Sequence, residues 1–192
     1  MTNEQTSFGY AELHCVSNYS FLCGASHPEE LIEQAARLGY SAIAITDECS
    51  YAGLAKAHIA AQQHGIKLIV GTQFLVSATQ GDTDEDADID RDRDVLRLIL
   101  LAPDREAYGQ LAGLITKLRR RSPKGEYYAT LDDFRVGLAG CLAIWVPLAA
   151  DITTLVPQGR QGRTRILSQI KNPPSASQVI VIKQLVFYFY RR

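Results

Sequence analysis

Over residues 10–102, short and continuously apolar runs alternate with longer ones whose apolar positions recur every three or four residues. The first pattern fits strands and the second amphipathic helices. Residues 10–15 read as a strand. A helix is predicted from Ser26, because Ser26 and Glu29 form an S-x-x-E capping box and Pro28 suits a first turn. Leu31, Ile32, Ala35, Ala36 and Leu38 supply its apolar face, and Gly39 is placed to end it. Residues 42–46 (AIAIT) are apolar on both faces, as a buried parallel strand requires. A second helix follows over 54–64, stopped by Gly65. Residues 67–76 and 95–102 (VLRLILLA) are further strands, 104–121 a third helix, and 140–146 (GCLAIWV) another buried strand.

Strand then helix, repeated, predicts an α/β domain with a parallel sheet joined by right-handed crossovers. Periodicity does not separate an open sheet from a closed barrel. In both, function collects at the C-terminal ends of strands. Those ends lie near His14, near Asp47 and near residues 71–73.

Two stretches break the pattern. Residues 81–94 (GDTDEDADIDRDRD) are half aspartate. A calcium loop starting at Asp82 would need glycine where Ala87 stands and a bidentate glutamate where Arg93 stands, so a solvated insertion is the better reading. Beyond residue 147 the texture changes: 158–165 is polar, 171–178 (KNPPSASQ) is loop-like, and 179–190 (VIVIKQLVFYFY) is β-prone and too short and interrupted for a membrane-spanning helix. The organisation expected is a tail over 1–9, a domain over 10–147 with an acidic loop at 80–94, and a divergent tail over 148–192.

Composition narrows this only slightly. The 192 residues carry a formal net charge of -1, so no global basic field advertises a nucleic-acid binder. Cys15, Cys23, Cys49 and Cys141 form no C-x-x-C pair, and the N-terminus has no apolar export segment. The cytoplasm is the expected compartment, with no membrane partner.

Three segments carry chemistry. Residues 12–26 read ELHCVSNYSFLCGAS, 44–53 read AITDECSYAG, and 67–76 read KLIVGTQFLV. In that order they resemble the PHP domain motifs: a strand ending in His-x-His-Ser before an Asp-Gly-Ala turn, a strand ending in Thr-Asp-His, and Gly-x-Glu on a strand. The wording of LHCVSNYSF and ITDECS is most similar to bacterial error-prone DNA polymerases of the C family, whose N-terminus carries this domain. The resemblance implies a distorted parallel β/α barrel, here incomplete, with metals held by His, Asp and Glu at the strand ends.

Position by position the implied ligands are altered. His14 is kept. Val16 stands for the second histidine and has no lone pair, Cys23 stands for the turn carboxylate, Glu48 for the second motif's histidine, and Gln73 for the glutamate. Asp47 is kept, as a support for the loop rather than a ligand. A cluster of two or three divalent ions needs several anionic or imidazole ligands. His14, Cys23 and Glu48 would hold at most one soft ion. His58 and His64 on the second helix share no face, and Cys15 lies on a strand with His14 pointing the other way.

Lys117, Arg119, Arg120, Arg121 and Lys124 end the third helix. They complement the helix dipole or touch a phosphate backbone. The expectation is thus a fragment of an error-prone DNA-directed polymerase of damage tolerance and repair. It has a degraded metal site, no cofactor of its own and no polymerase centre. The two magnesium ions of the intact family belong to a palm region not seen here, and the partners would be the rest of the polymerase and other replication or damage-response proteins. Its texture suggests a truncated or frameshifted product prone to self-association. The alternatives are an active stand-alone PHP phosphoesterase and a non-catalytic interaction module.

Overall fold

A computed structural model describes residues 9–77, 95–134, 138, 140–146 and 179–181. The acidic run 81–94 and most of the tail beyond residue 146 lie outside these residues. The elements are β1 (Ala11–Cys15), α1 (Pro28–Arg37), β2 (Ala42–Ile45), α2 (Leu54–His64), β3 (Lys67–Ser77), β4 (Val95–Ala102), α3 (Arg105–Arg121), a short 3-10 turn (Leu131–Phe134), β5 (Leu142–Val146) and β6 (Val179–Val181). Predicted boundaries hold to within two residues for most of them, because the apolar periods are clean.

The capping box of α1 sits one residue later than the spacing suggests. Pro28 opens the helix, so His27 before it is held extended, at φ -67 and ψ 152, and becomes the N-cap. The His27 amide donates to Glu30 Oε2 at 2.9 Å. Gly39 after α1 and Gly65 after α2 have φ of +72 and +66, the left-handed endings expected of them. Asp104 caps α3 by accepting from the Ala107 amide at 2.8 Å.

The strands form one sheet in chain order, β1 to β6. β1, β2 and β3 are mutually parallel, and β6 is parallel to β5. The all-parallel expectation fails in the middle, where β3–β4 and β4–β5 are antiparallel. Residues 78–94 link β3 to β4 with no predicted helix to carry the chain back, so β4 starts at the end where β3 stops. α3 then runs along the sheet and residues 122–134 return past Ser77, whose amide donates to the Ala129 carbonyl at 2.9 Å.

Register assigns the two faces. Ile43 and Ile45 of β2 share a face with Phe74 and Val76 of β3 and with Leu98 and Leu100 of β4. All three helices cover that face, through Ile32 and Ala35 of α1, Ala57 and Ala61 of α2, and Leu111 and Leu118 of α3. The opposite, inner face carries Ala44, Ile99, Leu101, Ile144 and Val146. The sheet with its helices is half of an α/β barrel.

Candidate functional site

The site begins with an irregularity in β1. Glu12 pairs with Ile43 and Cys15 with Ile45, so two residues, Leu13 and His14, oppose Ala44 alone. Such a bulge re-aims a side chain. Cys15 faces the helices, and His14 faces inward toward β3. There His14 Nε2 lies 2.8 Å from Gln73 Oε1. An amide oxygen only accepts, so Nε2 carries the proton and has no lone pair for a metal. Burial lowers the His14 pKa, Arg97 acts in the same direction, and the Gln73 bond opposes both.

The loop after β1 is held by Asp47, at the end of β2 and 2% exposed. Its Oδ1 accepts from the Ser17 amide and the Ser20 hydroxyl, both at 2.8 Å, and its Oδ2 from the Ser17 hydroxyl at 2.7 Å. Ser20 Oγ in turn accepts from the Glu48 amide at 2.8 Å. Asp47 therefore supports the loop, as its place in the motif suggests. Gly24 follows, where an added Cβ would sit 2.0 Å from the Ser17 carbonyl oxygen. Cys23, beside it, is exposed, and Val16 is half-buried.

Glu48 is committed elsewhere. Its Oε1 accepts from Tyr127 Oη at 2.9 Å, and the same Oη accepts from the Leu75 amide at 2.8 Å. Burial, reinforced by Glu48, raises the Tyr127 pKa. Tyr127 belongs to the loop after α3, and Arg119 holds that loop down. The Arg119 guanidinium donates to the carbonyls of Glu48 and Cys49, both at 3.2 Å, and of Gly125 at 3.1 Å, and lies 5.2 Å from the Tyr127 ring centre.

Thus His14 and Gln73 meet, Glu48 comes beside them through a bridge with Gln73, and Cys23 stays on the exposed loop. Among the described residues no three His, Cys, Asp or Glu side chains group as a metal site. The residues present do not fit the cluster that the motifs imply: one imidazole nitrogen is spent on an amide, one position is aliphatic and one carboxylate is tied to a tyrosine.

The basic cluster also divides. Arg121 forms a two-pronged pair with Asp133, at 2.8 and 2.5 Å, and Lys117 adds a contact at 3.1 Å. Burial would raise the Asp133 pKa, but the Arg121 bond, the Thr130 amide and Lys117 hold it well below the carboxylate range. With Arg119 spent on carbonyls, only Arg120 and Lys124 of the five are exposed without a described partner. Sequence reasoning missed Ser17, Ser20, Tyr127 and Arg97. The serines had a visible signal in the spacing of VSNYS, but Tyr127 had none, because its partners are 52 and 79 residues away.

Residues 12–170 match the model of the PHP domain. An error-prone DNA polymerase of Teredinibacter turnerae is 52% identical over 144 residues, which are 75% of this chain and 12% of that protein. One from Saccharophagus degradans is 45% identical over 158 residues, 79% of this chain and 14% of that protein. The chain therefore spans about an eighth of the length of these relatives. In fold it is similar to an amidohydrolase from Chromobacterium violaceum, with TM-score 0.61 and 18% identity over 90% of this chain and 76% of that one. The altered motifs, the half-barrel they sit on and these matches agree, and the chain belongs to the PHP domain family.

Proposed function

We propose that this chain is the PHP portion of an error-prone DNA polymerase of damage tolerance and repair, and that its metal site has become a hydrogen-bonded scaffold without phosphoesterase activity. Similarity to relatives bearing that name supports the first part. The 2.8 Å contact between His14 Nε2 and Gln73 Oε1 carries the second, since it uses as a donor one ring nitrogen of the histidine that the motifs keep. Nucleotidyl transfer with magnesium would belong to other regions of a longer polypeptide. The scaffold's work is to hold the β1 and β2 loops and the residue 122–130 loop as one surface for polymerase partners, in the cytoplasm. DNA contact would fall to Arg120 and Lys124, with Arg119 and Arg121 kept for the fold.

Metal titration tests this. Protein dialysed without chelator and supplied with manganese or zinc is expected to take up no stoichiometric metal and to leave an aryl phosphate intact. Near-stoichiometric uptake of two or more ions would overturn the reading.

A further inference from the structure

The loop after α3 carries two adjacent tyrosines with opposite fates. Tyr127 is half-buried, with its hydroxyl on Glu48 and the Leu75 amide. Tyr128 is 55% exposed. A single exposed tyrosine is ordinary on a protein surface. What sets this one apart is how firmly it is held. Its amide donates to the Ser122 hydroxyl at 3.0 Å, and its carbonyl accepts from Arg121 Nε at 3.2 Å. Its hydroxyl donates to Glu126 Oε2 at 3.2 Å, which steadies the ring. The ring therefore meets solvent with little freedom left to lose on binding, and a flat side chain so held makes contact at low entropic cost.

Two cations share this end of the helix. Arg120 lies in the last turn of α3, next to the Arg121 that holds the Tyr128 carbonyl. Lys124 sits at the corner of the turn 123–126, which is closed by the Glu126 amide on the Pro123 carbonyl at 3.1 Å and by Gly125 at φ +94. Arg119 fastens that turn to the helix through the Gly125 carbonyl at 3.1 Å. Arg121 and Lys117 are taken up by Asp133, while Arg120 and Lys124 are exposed without a described partner. Over 117–133 five lysines and arginines stand against three carboxylates, whereas the whole chain carries a net charge of -1. The loop is thus a local positive field with an aromatic face in it. A duplex keeps its base faces stacked and would offer this ring only phosphates. An acidic peptide would meet the cations and leave the ring unmatched. A single strand brings phosphates and free base faces together. No residue of this patch belongs to the three strand-end motifs.

We propose that Tyr128, with Arg120 and Lys124, is a stacking platform for single-stranded DNA: a base lies on the tyrosine ring and the two cations meet the adjoining phosphates. The inference rests on the reading above in which Arg120 and Lys124 touch DNA, and it names the form of DNA and the residue that selects it. Its test separates the two.

The probes are a fluorescein-labelled oligothymidylate and an abasic strand of the same length, which keeps the phosphates and lacks the bases. Each is titrated with the full chain at low salt, and anisotropy reads binding. The unaltered chain is expected to bind the thymidylate about tenfold more tightly than the abasic strand. Tyr128→Ala is expected to bring thymidylate down to the abasic level, and Tyr128→Phe, which keeps the ring face, to retain the difference. Arg120→Gln combined with Lys124→Gln is expected to weaken both strands together. The two strands are compared in the unaltered chain, so a variant that fails to fold does not spare the proposal. Equal binding of the two strands, a preference for thymidylate that survives Tyr128→Ala, or a duplex bound as tightly as thymidylate overturns the stacking platform alone and leaves the phosphate contact standing. Binding to neither strand, or polyglutamate bound as tightly as thymidylate, overturns both.

Discussion

Leu22 has φ of +63 and is 90% exposed, and Phe21 beside it is 85% exposed. Both features cost stability, and both follow from the tight path that Asp47 and the Gly24 approach impose on this loop. Asparagine tolerates the left-handed region better than leucine, because its short polar side chain bonds locally. Leu22→Asn is therefore expected to stabilise the chain by about 0.5–1 kcal/mol. Denaturant unfolding checks the gain, and sedimentation should show less self-association. At the same scale, the ligand substitutions were legible as letters, since valine at position 16 has no lone pair and glutamine at 73 lacks the charge of a glutamate in any fold. What each residue does instead was not legible. The Gln73–His14 pair spans 59 positions, and no local rule connects them.

At the scale of elements, the end of α3 is a tether. Arg119 reaches back to the turn after β2 and sideways to the loop that carries Tyr127. The helix-dipole reading of the cluster accounts for none of these bonds. Lysine would keep the charge and lose the planar fork that meets several carbonyls at once. Arg119→Lys is expected to lower stability by about 1–3 kcal/mol, measured by denaturant unfolding, and to increase hydrogen exchange at the Leu75 amide as Tyr127 loosens. A variant as stable as the parent, with unchanged exchange, would show that the tether is incidental. The strand directions belong to this scale too. Apolar runs identified β3, β4 and β5 as strands. Their antiparallel pairing depends on where the intervening chain returns, and strand composition does not encode that.

For the whole molecule, Asp133 couples stability to pH. Its folded pKa is depressed, by Arg121 and Lys117 against the opposing effect of burial. A depressed carboxylate stabilises fully above its unfolded pKa of about 3.9. That contribution is lost as the pH falls from there toward the folded value. Melting temperature should therefore drop more steeply below about pH 4 in the parent than in Asp133→Asn, which is less stable at neutral pH and flatter in acid. Equal slopes would remove Asp133 from the account.

The helices, the strand runs, the three motifs and the residues that stand at their ligand positions were set by the sequence alone, because local periodicity and side-chain chemistry are properties of short segments. Tertiary structure decided what those positions became. Only folding brings Gln73 to His14 and Tyr127 to Glu48, for each contact depends on register and on a return of the chain over tens of residues.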